Sequence, residues 1–280
     1  PEVRDNPWLR RIAPGTAQLP VPFRRPAGVD MEALLAARLD LAVLWGDGGI
    51  LERRLAQAGV PVVHVAYADA AELLAAIDTL GQALGGDAQG RAEALGRGYR
   101  HNLQRVSAGL AGLPAGARPR IYYASISPLL TEGRRTMVDA WIGAAGGLNV
   151  AAAVTGDAHV QLEDVLRWNP EIIVTQTRAV RRQILDDPRW RQVAAVRNHR
   201  VLVNPGGVNA WCTRAAEASL QVLWAAKMFH PERFPDVDVA AEARRFYHRF
   251  YDYDLNDQEL ARLLRAEPPE GPEFQEKDAP

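Results

Sequence analysis

Seven side chains carry the chemistry this sequence offers: Trp45, Tyr67, Tyr123, Arg134, Arg178, Trp211 and Arg214. They end short apolar runs of strand type or lie in the loops after them, the runs being Leu41 to Trp45, Val60 to Val65, Arg120 to Tyr123, Ile172 to Thr175 and Arg200 to Val203. In an open parallel sheet the loops beyond the carboxyl ends of the strands converge, and ligands bind there. Trp45 and Trp211 offer aromatic faces, although a tryptophan at a strand end serves packing more often than ligand contact. Arg134, Arg178 and Arg214 offer forked donors suited to carboxylates, phosphates and other anionic ligand atoms, with solvated surface arginines as the plainer reading. The chemistry expected is capture of an anionic ligand against aromatic walls.

Two acids form a second constellation. At an offset of 131, Val29-Asp-Met-Glu32-Ala-Leu-Leu35 followed by Asp40-Leu-Ala-Val43 lies over Val160-Gln-Leu-Glu163-Asp-Val-Leu166 followed by Glu171-Ile-Ile-Val174. Each copy reads as a helix and then a strand, which implies an internal duplication. Glu32 and Glu163 therefore occupy equivalent places near the starts of equivalent helices. The macrodipole alone accounts for an acid in a first turn at about 0.3 to 1 kcal/mol. Exposed, the pair would make a two-point docking pattern.

Catalytic signatures are missing. Gly46-Asp-Gly-Gly49 has no Gly-Lys-Ser/Thr after it, and Gly146-Gly147 follows a helical stretch, where it reads as a helix cap. The six histidines, His64, His101, His159, His199, His230 and His248, include no pair at metal-ligand spacing. No Gly-x-Ser-x-Gly elbow occurs, and Cys212 is the only cysteine, which excludes an intrachain disulfide and a zinc-cysteine cluster. Neither a catalytic centre nor a resident cofactor or metal is expected, an α/β enzyme using the same loops being the contrasting alternative.

The elements that must position these residues follow from periodicity. Strand-like runs alternating with helical stretches imply an α/β fold of two lobes, each a parallel sheet covered by helices. Ala88, Ala92, Leu95, Tyr99, Leu103, Val106 and Leu110 step by four and three, one stripe of a helix of roughly 40 Å. The expected organisation is an N-terminal lobe over 1–86, a connecting helix over 87–113, a C-terminal lobe over 114–266 and a disordered tail over 267–280.

Composition bounds the partners. Of 280 residues, 48% are apolar and 24% charged, and the formal charge of −1 provides no field for nucleic acid. Two lysines beside 31 arginines point to coding bias, so a single arginine carries little weight by itself. No run approaches a membrane span, and the first residues lack an apolar signal core, as in a mature or trimmed form.

Taken in order, these segments resemble the cobalamin-, siderophore- and haem-binding class of periplasmic substrate-binding proteins that serve ABC importers. The resemblance runs from about 29 to 264 and rests on Val29 to Glu32 through Trp45, Pro128-Leu-Leu-Thr131-Glu-Gly133-Arg134, Ala145-Gly-Gly-Leu-Asn149-Val, and Pro205 through Trp211 to Glu217. The stretch from Trp224 to Tyr251 looks like the longer iron-complex members. The resemblance implies two Rossmann-like lobes joined by one long helix, a monomer outside the cytoplasm, lipid-anchored in its full-length form, and a metal chelate as cargo, a ferric siderophore first. Trp45, Trp211 and Arg214 match positions that line the cleft of the cobalamin-binding relative, and Glu32 and Glu163 match acids that dock onto the permease dimer. Ala210 replaces an acid of that relative, which argues against cobalamin. Family members begin with a further strand and helix of the first lobe, so that unit and its cleft contacts are expected to be missing. A haem or corrinoid carrier is the nearest alternative, with His64, His159, Tyr67 or Tyr123 as an axial haem ligand.

Overall fold

The structure, a computed structural model, describes residues 6–19, 23–24, 28–213 and 215–271. A short helix α1 (Pro7–Ile12) and a two-stranded antiparallel ribbon, β1 (Phe23–Arg24) with β2 (Gly28–Val29), precede the first lobe. The lobe runs α2 (Met31–Ala36), β3 (Ala42–Trp45), α3 (Gly49–Gln57), β4 (Val62–Val65) and α4 (Ala70–Leu84). β3 and β4 are parallel, with Ala42 opposite Val62 and Trp45 opposite Val65. Along β3, Ala42 and Leu44 point inward to Leu34 and Leu55 while Val43 and Trp45 point outward, the period-2 alternation of a sheet with one covered face.

The apolar stripe forms α5 (Gly86–Gly109), about 36 Å at 1.5 Å per residue. It lies along α4 on one side and along α10 (Ala218–Phe229) of the second lobe on the other. Gly81 of α4 permits the close crossing, since a Cβ there would stand 2.5 Å from Ala92 Cβ. Buried Asn102 ties α5 across by donating to Ser219 O at 2.8 Å.

The second lobe contains β5 (Arg120–Ala124), β6 (Leu130–Glu132), α6 (Met137–Ala144), β7 (Leu148–Asn149), β8 (Asp157–His159), α7 (Leu162–Trp168), β9 (Ile172–Thr175), α8 (Arg178–Asp186), α9 (Ala194–Arg197) and β10 (Val201–Val203), with α10, α11 (Val239–Tyr251) and α12 (Asp257–Leu264) after them. Its sheet is parallel in the order β10-β9-β5-β7, and β6 and β8 form an antiparallel ribbon beside it. Ile121 and Tyr123 of β5 join the core shared with α5, α6 and α10, whereas Tyr122 and Ala124 join the core under Val165, Val180 and Ile184. Gly146 and Gly147 cap α6, donating to Gly143 O and Ile142 O, as their position in the sequence implies.

The duplicated segments fold alike. α2 to β3 and α7 to β9 are each a helix followed by a strand, and each continues through helix, α3 in one and α8 with α9 in the other, to a parallel neighbour, β4 and β10 respectively. The α/β class with parallel sheets and a long connecting helix is therefore as expected. The edges differ. α1, numbered with the first lobe, lies against the second: Asn6 Nδ2 donates to Val208 O, and Trp8 is buried with its Nε1 donating to Glu267 O at 2.9 Å. Of the tail expected over 267–280, Glu267 to Gly271 are described, and Pro268 O accepts from Arg262 Nε at 2.7 Å while Pro269 is buried. Residues 272–280 lie outside the described residues.

Candidate functional site

The carboxyl ends of β3 and β4 bring Trp45 and Tyr67 together on the first lobe. Their rings meet edge to face with centroids 4.9 Å apart and an interplanar angle of 78°. Trp45 is 50% exposed, and Tyr67 is half-buried against the core that also contains Tyr123 and Trp211, so one apolar cluster spans both lobes. Gly46 and Gly48, at φ 71° and 64°, turn the chain from β3 into α3. At Gly48 a Cβ would meet Leu44 Cδ1 at 2.7 Å.

On the second lobe, the ends of β5 and β9 build a polar floor. Gln176 Oε1 accepts from Tyr123 Oη at 3.1 Å and from Ser125 Oγ at 2.9 Å. In this orientation of the amide Oε1 takes both hydroxyls, and Nε2 has no hydrogen-bond partner among the described residues. Tyr123 Oη also lies 3.3 Å from Cys212 Sγ. Burial pushes the Cys212 thiol up to about 12 and holds the Tyr123 hydroxyl well above its ordinary value, so both stay protonated and act as fixed hydrogen-bonding groups.

Tyr123 and Trp211 were expected on the cleft wall, and the structure moves them beneath it. Both are 0% exposed, Tyr123 because its side of β5 faces the shared core and Trp211 because it is enclosed near α11. The Trp211 indole N–H lies toward the Tyr247 hydroxyl without hydrogen-bond geometry. Neither ring presents a face to a ligand; they set the floor on which Ser125 and Gln176 stand. Axial ligation of haem by Tyr123 fails for the same reason. His64 has both ring nitrogens engaged, Nδ1 at 2.6 Å from Gly46 O and Nε2 at 3.0 Å from Glu52 Oε1, and the Glu52 hydrogen bond followed by that of Gly46 raises its pKa. His159 is exposed on β8.

The arginines separate. Arg134 is exposed after β6, where its backbone N–H donates to Val154 O at 2.8 Å and its carbonyl accepts from Gly156 N at 2.9 Å. Buried Gly133 makes this possible, because Val154 O would stand 2.2 Å from a Cβ there. Arg178 instead pairs with Glu267 at 3.7 Å. Arg214 lies outside the described residues.

The loop from Asn204 to Thr213 is pinned by a residue whose role sequence reasoning missed. Glu217 is 1% exposed and accepts from Asn209 N and Tyr247 Oη, both at 3.3 Å. Burial raises its carboxyl above the ordinary range, partly offset by hydrogen bonds that include Tyr251. Gly207 presses on the same network, since a Cβ there would clash with the Tyr247 hydroxyl oxygen. The sequence signal was available: an acid followed by the mostly apolar run from Ala218 to Phe229.

Glu32 and Glu163 are both exposed and both the second residue of their helices. Asp30 caps α2 by accepting from Ala33 N, and Asp164 accepts from the N–H of Gln161, the N-cap of α7, so both helix starts are already capped by acids other than Glu32 and Glu163. Among the described residues no cluster of three or more His, Cys, Asp or Glu is placed to hold a metal, and no helix is long and apolar enough to cross a membrane.

A family model described as periplasmic binding protein matches residues 5–206. The molybdate-binding protein MolA of Haemophilus influenzae is 34% identical over 165 residues, 58% of this chain and 47% of MolA. An uncharacterized ABC transporter substrate-binding lipoprotein of Bacillus subtilis, YvrC, is 24% identical over 189 residues, 66% of this chain and 58% of YvrC. The chain thus spans less than two thirds of either relative. The solved structure of MolA bound to molybdate superposes with a TM-score of 0.80 at 25% identity, covering 91% of this chain and 85% of that one.

Proposed function

Because this chain belongs to the periplasmic binding protein family, we propose that it captures a metal oxyanion of the molybdate type outside the cytoplasm and presents it to an ABC importer. Proteins of this family bind solutes for transport and are not enzymes, and what they carry is cargo, not a cofactor. The observation that carries the oxyanion is the 34% identity to a molybdate-binding protein, with the molybdate-bound fold superposing at 0.80. Physical chemistry points the same way. A small tetrahedral dianion needs aimed donors more than aromatic faces. With Trp211 and Tyr123 under the surface, the floor offers the Gln176 amide and, from the neighbouring ribbon, Arg134.

A ferric siderophore, the cargo expected from the iron-complex resemblance, is the second reading. It is favoured by one feature, the exposed Trp45 braced edge to face by Tyr67, an aromatic surface of the kind a chelator would use. In either case Glu32 and Glu163 are proposed to meet cationic residues of the permease dimer, one lobe to each subunit, with the binding protein acting as a monomer. The lipoprotein description of the Bacillus relative supports a lipid anchor on the full-length form.

Thermal shift and calorimetric titration with molybdate, sulfate and a ferric catecholate separate the readings. Molybdate at 100 times its Kd should stabilise the protein by about 2.7 kcal/mol, with Gln176→Leu and Arg134→Ala each weakening it. Quenching of Trp45 by the ferric chelate, with no response to millimolar molybdate, would overturn the oxyanion in favour of the siderophore.

A further inference from the structure

A cavity of about 540 Å3 opens at the edge of the second lobe, between α8, the end of edge strand β10 and the chain that follows α12. Among the described residues, none of the first lobe lines it. Its apolar part is Leu185, Val203 and Leu264; its cationic part is Arg178, Arg181, Arg182 and Arg265. Against these four guanidinium groups stand two carboxylates, Asp186 and Glu267, which leaves the lining cationic.

Glu267 shows what the arginines can do. Arg265 grips it with two bonds, Nε to Oε1 and Nη2 to Oε2, both 3.1 Å, while Arg178 Nη1 stands 3.7 Å from Oε1. The chain's own carboxylate thus occupies one end of a site built for carboxylates. The rest of the donor set is open. Arg181 commits only Nε, to Val201 O at 2.9 Å, and Arg182 has no hydrogen bond or ion pair among the described residues. The segment carrying Glu267 is itself tethered, by Trp8 Nε1 on Glu267 O and by Arg262 Nε on Pro268 O.

We propose that this cavity is a second ligand site, taking a small organic anion whose carboxylate meets Arg181 and Arg182 while its hydrocarbon body rests on Leu185, Val203 and Leu264. Guanidinium donors above an apolar floor select both parts: a bare inorganic anion would forgo the apolar contact, and a neutral hydrocarbon would forgo the ion pair. Glu267 competes with the ligand for the same cationic field. The site goes beyond the oxyanion reading and does not depend on it.

Indole N–H spectra of 15N-labelled protein test this, because the buried Trp8 N–H is bonded to Glu267 and senses the segment beside the cavity. The Trp8 signal is identified with Trp8→Phe, and the probes are sodium benzoate, sodium phosphate and sodium chloride at matched ionic strength. Benzoate should move the Trp8 signal saturably in the millimolar range, several-fold more tightly than phosphate, and equally well with the protein saturated in molybdate. The exposed pair Arg181→Gln and Arg182→Gln together should weaken benzoate at least tenfold, since both charge-assisted contacts are lost. Glu267→Gln, which removes the competing charge, should tighten it several-fold, the opposite of what a purely structural acid would do. A response no larger than that of chloride, unchanged affinity in the double variant, or displacement of benzoate by molybdate would each overturn the second site.

Discussion

Gly133→Ala offers the sharpest test of how the site is held. A Cβ at this position would lie 2.2 Å from Val154 O, 2.7 Å from Val154 C and 2.8 Å from Ala151 O. These are backbone atoms, so no flexible side-chain end can swing aside, and the Val154 carbonyl must retreat by roughly 1 Å before the contact becomes ordinary. That carbonyl accepts the Arg134 N–H at 2.8 Å, and Gly133 N itself donates to Gly156 O at 2.9 Å. Overpacking of this kind costs about 1 to 3 kcal/mol, and a strained or lost backbone hydrogen bond adds about 1. The expected destabilisation is about 3 kcal/mol, which at a urea slope of about 3 kcal/mol per M lowers the midpoint by about 1 M. Because the same shift carries Arg134 with it, molybdate affinity should fall about tenfold, as it should in Arg134→Ala, and the two changes combined should cost no more than either alone. A Gly133→Ala protein that unfolds earlier yet binds molybdate normally would refute the link between this glycine and the ligand. Unaltered stability would refute the packing reasoning itself.

Two further outcomes follow from the same geometry. Burial holds the Glu217 carboxyl above its ordinary 4.5, so its contribution to stability is fully present below about pH 4.5 and is lost as pH rises through the folded value. Glu217→Gln can still accept from Asn209 N and Tyr247 Oη, and urea midpoints from pH 4.5 to 8 should show the wild type losing stability relative to this variant, by up to about 1.4 kcal/mol per pH unit inside the window; parallel profiles would show that the carboxyl is ionised throughout. Replacing Glu32 and Glu163 together by Ala should cut uptake into vesicles carrying the permease at least tenfold, since the two acids sit on different lobes and each would meet one permease subunit, while calorimetric ligand affinity stays unchanged; normal uptake by the double variant would remove the docking proposal.

Much of the architecture was legible in local pattern. The apolar run from Leu41 to Trp45, the four-and-three stripe from Ala88 to Leu110 and the echo at offset 131 are properties of neighbouring residues, and a strand or an amphipathic helix declares itself over that distance. The equivalence of Glu32 and Glu163 was legible for the same reason, because a duplicated helix start is a one-dimensional fact. Accessibility is not local. Trp45 and Trp211 look alike as aromatic residues near strand ends, yet the first is half-exposed and the second enclosed, because what covers a loop is supplied by elements far away in the chain, in Trp211's case α11 beginning 28 residues later. The partner of Arg178 is 89 residues distant at Glu267, and α1, which falls within the span expected for the first lobe, rests on the second through Trp8. Sequence alone therefore determined the elements, their doubling and the family they resemble. Only the tertiary structure decided which aromatic and cationic side chains are exposed and which are buried or paired, since burial and ion pairing are set by three-dimensional neighbours that no spacing along the chain encodes.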